Sequence, residues 1–263
     1  MTNVLTYYIS SIATLFTGVK NPLALIRLAT RNPSDQPLLL KLKEGTSFSV
    51  VTLMDAWILK ETVLDRQYEQ ASVPLQPDWV VVDIGAALGD YSVWAARQLK
   101  QGRVIAIEPF PQSIQLIRAN LAVNQIKNVT VLEAAVSSRA GQTVLQLVTG
   151  QAVQHSTAAG NGSSSVTVST VTLSSILKQI PEGRIDYLKI DCEGAEYDIL
   201  FDTPSDALQK IERICMEVHD GMTLHDHHEM IRFLQSQGYS TRLTPNPVHA
   251  ELAYLYAERN RTS

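Results

Sequence analysis

The chain has 263 residues, 45% hydrophobic and 18% charged, with a formal net charge of −4. That composition excludes wholesale disorder, and the slight negative balance offers no general pull toward a phosphate backbone, so no nucleic-acid partner is expected. Two cysteines, Cys192 and Cys215, are too few for a disulfide scaffold or a cysteine-based zinc module.

No apolar run reaches the roughly 18 residues of a membrane span. The apolar residues 4–16 lack a preceding basic stretch, so they are read as neither leader nor anchor and the chain as cytoplasmic. Residues 1–78 carry helical periodicity (Leu23, Ile26 and Leu28, then Trp57, Leu59 and Val63), broken at Asn21-Pro22 and Asn32-Pro33. This predicts a mostly helical N-terminal extension with a short strand pair at about residues 38–51.

From residue 79 to residue 263 the pattern becomes regular. Short apolar runs at 79–84, 104–107, 129–132, 185–190, 211–218, 239–243 and 252–257 read as strands. Helical patterns at 90–100, 111–124, 195–201 and 226–237 separate them, with Pro111 starting one helix and Gly238 ending another. Alternation at this spacing predicts an α/β fold: a doubly wound, seven-stranded, mostly parallel sheet with helices on both faces. Residues 136–175 interrupt it with a small β insertion, whose alternating stretches at 143–148 and 166–171 flank a loop at 150–165 suited to a lid or to surface decoration.

The chemistry centres on VDIGAALG, residues 82–89, where a strand ends in an acid and glycines open a helix. Gly85, Ala86 and Gly89 would let backbone approach a ligand closely at the strand's carboxyl end. Glu108 lies 23 residues beyond Gly85 at the next strand's end, where an acid can chelate two ribose hydroxyls. The spacing is not Gly-x-Gly-x-x-Gly, and Asp83 would repel a pyrophosphate while suiting a sulfonium and an α-ammonium group. S-adenosylmethionine therefore fits better than a dinucleotide. Phe110 is expected against the adenine, with Glu133 or the backbone at Ala134 at its amino edge.

Four segments carry a resemblance: VVDIGAALGDYSVW at 81–94, VIAIEP at 104–109, VLEAAVSS at 131–138 and IDYLKIDCEGAEYDIL at 185–200. Their order and spacing resemble the FkbM family of S-adenosylmethionine-dependent methyltransferases over roughly residues 61–257, Glu61 and Tyr68 included. The resemblance implies a Rossmann-like class I methyltransferase fold, with the end of the fourth strand facing the methyl group. One departure is Ala87, where the family usually has Asn, which removes a polar contact from the cofactor turn.

At that fourth strand's end, Lys189 and Asp191 share a face and can pair, and Asp191 and Glu193 are candidate catalytic residues. Glu196 reads as a helix-start acid. Glu217 and His219 share a face at the end of the fifth strand, and His219 is the candidate base, with Glu217 or Asp191 orienting its ring and an unperturbed pKa near ~6–7. His225, His227 and His228 follow, but a polar loop explains them and no metal is assigned. The expected activity is O-methylation of a hydroxyl on a small molecule, sugar or secondary metabolite. An amine acceptor, or a non-catalytic module that only binds the cofactor, are the alternatives.

Overall fold

The computed structural model describes residues 4–30, 36–147, 164–192, 194–246, 248–249 and 251–260. The N-terminal segment comprises α1 (Val4–Gly18), α2 (Leu23–Thr30), an antiparallel pair β1 (Leu38–Lys41) and β2 (Ser47–Val50), α3 (Leu53–Leu59) and α4 (Gln67–Ala71). A π-helical turn, Lys60–Leu64, separates the last two helices. Thr52 and Asp55 start α3 with a reciprocal capping box.

The main body then runs β3 (Val80–Ile84), α5 (Asp90–Gln98), β4 (Arg103–Ile107), α6 (Pro111–Val123) and β5 (Val129–Leu132). After the insertion strands β6 (Ala135–Val136), β7 (Gly141–Leu147) and β8 (Ser164–Val171) come α7 (Leu173–Gln179), β9 (Tyr187–Ile190), α8 (Glu196–Phe201) and α9 (Ser205–Leu208). The chain closes with β10 (Arg213–His219), α10 (His227–Ser236), β11 (Tyr239–Pro245) and β12 (Leu252–Arg259).

Seven strands form the expected sheet in the order β11-β12-β10-β9-β3-β4-β5. β12 is antiparallel to both of its neighbours, and the other pairings are parallel. From β3 the chain builds outward through β4 and β5, then returns to place β9 on the other side. The reversal opens a crevice at the carboxyl ends of β3 and β9, the usual ligand position in such sheets.

Alternation along the strands supplies two apolar cores. Val81, Val104, Tyr187 and Cys215 face α5, α6 and the N-terminal segment, whose Leu25, Leu40, Phe48 and Leu59 join the same cluster. Val80, Val82, Leu188 and Met216 face α7 to α10. Asn120 of α6 and Asn124 just past its end accept from the backbone N–H groups of Ser49 and Ser47 at 2.6 and 2.9 Å, tying the N-terminal strand pair to this face.

The strand expected at 185–190 begins two residues late. Asp186 uses its carboxylate to accept from the Val80 N–H at 2.8 Å, so a side chain replaces a ladder bond there. The insertion is a three-stranded sheet, β6-β8-β7, and residues 148–163, most of the loop expected at 150–165, lie outside the described residues. Among the described residues no helix is long and apolar enough to cross a membrane.

Candidate active site

A cavity of about 850 Å³ opens at the carboxyl ends of β3, β4, β9 and β10. Of the candidate residues, Gly85, Glu108, Phe110, Ala134, Asp191 and His219 line it. Glu193 lies outside the described residues. Asp83, Ala86, Gly89 and Glu133 do not line it, and each has a physical reason.

Asp83 is fully buried behind the crevice. Ser92 Oγ donates to it at 2.6 Å and Lys189 Nζ sits 3.2 Å away, so its charge is matched within the protein rather than offered to a sulfonium. Lys189 also donates to the Gly85 carbonyl at 2.9 Å and lies 3.8 Å from Asp191. Burial alone would lower the Lys189 pKa, but the charges of Asp83, Asp191 and Asp90 outweigh it and keep the ammonium protonated.

Ala86 is buried in the turn, its N–H bonded to the Ile107 carbonyl at 3.1 Å. The glycines answer to the protein more than to a ligand. A Cβ on Gly85 would stand 1.8 Å from the Asp191 carbonyl oxygen, and one on Gly89 would meet Ile117 of α6 at 3.4 Å. Glu133 faces solvent in an ion pair with Arg118, both side chains more than half exposed.

Glu108, just past β4, is nearly buried and held at both oxygens: it accepts from the N–H of Ala87 at 2.9 Å and of Phe110 at 3.1 Å. Burial pushes its pKa up to about 7 against those two donors. Phe110 packs on Leu145 and Val168 of the insertion. Ala87 adopts φ +48°, the left-handed region that disfavours a side chain other than Asn or Gly. Ala87→Gly is therefore expected to stabilise the fold by about 0.5–1 kcal/mol. A higher urea midpoint at unchanged slope would show it; a lower midpoint would mean that the turn stores no strain.

Part of the cavity wall is built by residues the sequence only partly exposed. Tyr68 of α4 donates to Asp191 Oδ2 at 2.8 Å. The π-helical turn brings Glu61 and Thr62 to the cavity, where Glu61 accepts from Trp57 Nε1 at 2.9 Å and from Tyr7 Oη at 3.1 Å. Asp90, at the start of α5, also lines the wall, with burial pushing its pKa up to about 6.

His219 Nδ1 lies 2.5 Å from Glu196 Oε1, and Glu196 is fully buried. Glu196 is thus one partner of the ring, which the sequence did not reveal. Burial would lower the His219 pKa, but the Glu196 hydrogen bond and the charges of Asp191, Glu196 and Glu217 together raise it to about 10. The value near 6–7 expected for an unperturbed ring does not hold. Burial, then the Asp191 charge, holds Glu217 well above the ordinary carboxylate range. In the histidine-rich run, His225 pairs with Glu229 at 2.9 Å and His227 with Asp220, which leaves these rings in local loop and helix-start contacts.

A doubly wound sheet with an antiparallel seventh strand and a cavity at its switch point is the frame of class I methyltransferases. A model described as "Methyltransferase FkbM domain" matches residues 83–241, more than half of the sequence. The chain belongs to the FkbM methyltransferase family, and its cofactor is S-adenosylmethionine.

It is 26% identical over 261 residues to the 31-O-demethyl-FK506 methyltransferase FkbM of Streptomyces tacrolimicus, covering 88% of this chain and 99% of that one. With methyltransferase sdnD of Sordaria araneosa it shares 25% over 215 residues, 70% of this chain and 82% of the relative. A solved methyltransferase FkbM from Methylobacillus flagellatus superposes with TM-score 0.51 at 15% identity, over 90% of this chain and 59% of that one. A Streptococcus mutans chain, described as a methyltransferase in complex with SAH, does so with TM-score 0.50 at 14% identity, over 74% and 97%.

Proposed function

We propose that this methyltransferase places the methyl group on a hydroxyl of a small molecule, sugar or secondary metabolite. The observation that carries the reading is the convergence of Asp191, Glu217 and His219 at the ends of β9 and β10, with ligand-capable atoms within 4.8 Å of one another. A neutral amine attacks with its own lone pair and needs little help, whereas a hydroxyl must lose its proton as the new bond forms. The Streptomyces relative is named for an O-demethyl substrate, which agrees with this choice.

The cavity residues fit S-adenosylmethionine. Glu108 has both oxygens fixed by backbone donors and keeps lone pairs for the two ribose hydroxyls. Phe110 and Ala134 offer an apolar wall to the adenine, and the Gly85–Ala87 backbone with Asp90 and Asp191 would face the amino-acid end. When bound, the cofactor supplies an electrophilic methyl group on a sulfonium. The protein's own task is to hold an acceptor oxygen in line, and Tyr68 on Asp191 and Glu196 on His219 fix two polar groups of the cavity wall.

An amine remains the second reading because the wall is acidic. Glu61, Asp90, Glu108, Asp191, Glu217, Asp220 and Glu251 line it, and Lys189 is the only lysine or arginine among the described lining residues. Methyl-labelled cofactor offered with amino-alcohol acceptors separates the two. The label is expected on oxygen, with His219→Ala lowering turnover at least about tenfold and leaving cofactor affinity unchanged. Label on nitrogen, with His219→Ala fully active, would overturn the hydroxyl reading.

A further inference from the structure

We propose that Asp191, Glu217 and His219 form a binding site for one divalent cation of the oxygen- and nitrogen-ligated class, such as Mn²⁺ or Zn²⁺, which chelates the acceptor oxygen. β9 and β10 are parallel with Met216 beside Ile190, so continuing the register sets Glu217 beside Asp191. Two residues on, His219 returns to the Glu217 face. One ligand atom from each of the three lies within 4.8 Å of the others, a span that a single ion with metal–ligand distances of about 2.0–2.2 Å can satisfy.

Three observations outside the ligand set point the same way. Glu196 holds Nδ1 of His219 at 2.5 Å, the carboxylate–imidazole pairing that orients a metal-ligating histidine. Glu196 is fully buried, and among the described residues its Oε2 has no hydrogen-bond partner, so positive charge at the ring it holds is favourable. The nearby lysine is shared, with Lys189 Nζ 3.2 Å from Asp83 and 3.8 Å from Asp191. Asp191, Glu196 and Glu217 surround one imidazole, and a divalent cation bound in place of the ring's proton adds one positive charge to that set.

Tyr68 fixes Asp191 through Oδ2, which leaves its other oxygen for the ion. Two carboxylates and one imidazole suit Mn²⁺ or Zn²⁺ better than a thiol-seeking ion, and three protein ligands leave positions open for water and an acceptor oxygen. In that role the acceptor's hydroxyl proton leaves to solvent water and its oxygen bonds the methyl carbon. The carbon–sulfur pair stays on sulfur, giving a methyl ether and S-adenosylhomocysteine. The cation lowers the cost of losing the proton. This role rests on the hydroxyl reading; the cation site does not.

Mn²⁺ titrated into the metal-free full chain, followed by electron paramagnetic resonance with and without S-adenosylhomocysteine, tests the site. One Mn²⁺ per chain is expected. Glu196→Gln should weaken it by about 10- to 100-fold and Glu217→Gln by at least as much, while His228→Ala in the neighbouring histidine run leaves it unchanged. S-adenosylhomocysteine affinity on the same variants separates loss of ligand from loss of fold. No binding in the wild-type chain, or binding that survives both Glu196→Gln and Glu217→Gln, overturns the proposal. Label on an amine nitrogen would leave Mn²⁺ binding in place, so the two failures are distinguishable.

Discussion

Lys189→Met is expected to destabilise the fold by about 3–5 kcal/mol, the scale for removing one partner of a buried ion pair. Asp83 sits at 0% exposure on β3, and Lys189 is its register neighbour on β9. Without the ammonium, Asp83 keeps only the Ser92 hydroxyl, and the Gly85 carbonyl loses its donor at the turn. The loss should show in the denaturant midpoint. Because a whole domain has only about 5–15 kcal/mol to lose, the double variant Asp83→Asn/Lys189→Met is the necessary companion. It removes both charges and should recover most of the stability. A single variant as stable as the parent would mean that the pair is not coupled to folding.

Gly85→Ala carries the second large effect, about 3–5 kcal/mol, from two additive sources. Its φ of +75° is strained for any side chain, and its Cβ would overlap the Asp191 carbonyl oxygen at 1.8 Å, forcing β3 and β9 apart. Gly89→Ala is the control. It has a similar φ of +82° but meets Ile117 at 3.4 Å, an acceptable contact, so only the backbone strain of about 1–2 kcal/mol applies. Equal losses in the two variants would show that the close approach to Asp191 is relieved without cost.

The sheet was legible because its central strands are continuous apolar runs, and Glu108 because it ends one of them at a fixed distance from the glycine turn. Asp83 was legible as important but not in its role. Only the pairing of Asp83 with Lys189 across β3 and β9 shows that the charge is matched inside the protein, and neither strand adjacency nor register is written in a local pattern. Glu196 hid for a similar reason. As a first-turn acid of α8 it fits a common helix start, and its burial against His219 arises from how α8 packs beside β10. Glu61 reaches the cavity through a π-helical turn that no apolar periodicity announces. Glu133 lies one residue past β5, where small differences in strand length decide which way a side chain turns.

The proposed role of Glu108 as the ribose ligand of the cofactor is open to calorimetry with S-adenosylhomocysteine. Burial raises the folded-state pKa of Glu108 from 4.5 to about 7, so between those values the folded chain binds more protons there than the unfolded one. Its contribution to stability therefore falls as pH rises through that window, and above about 7 it stands as a carboxylate able to accept both ribose hydroxyls. Saturable one-to-one binding is expected, tightening as pH rises through about 7. In Glu108→Ala it should weaken by about 1.5–3 kcal/mol, roughly tenfold or more, and lose that pH dependence. Binding of undiminished affinity in Glu108→Ala, with the same pH dependence as the parent, would contradict it.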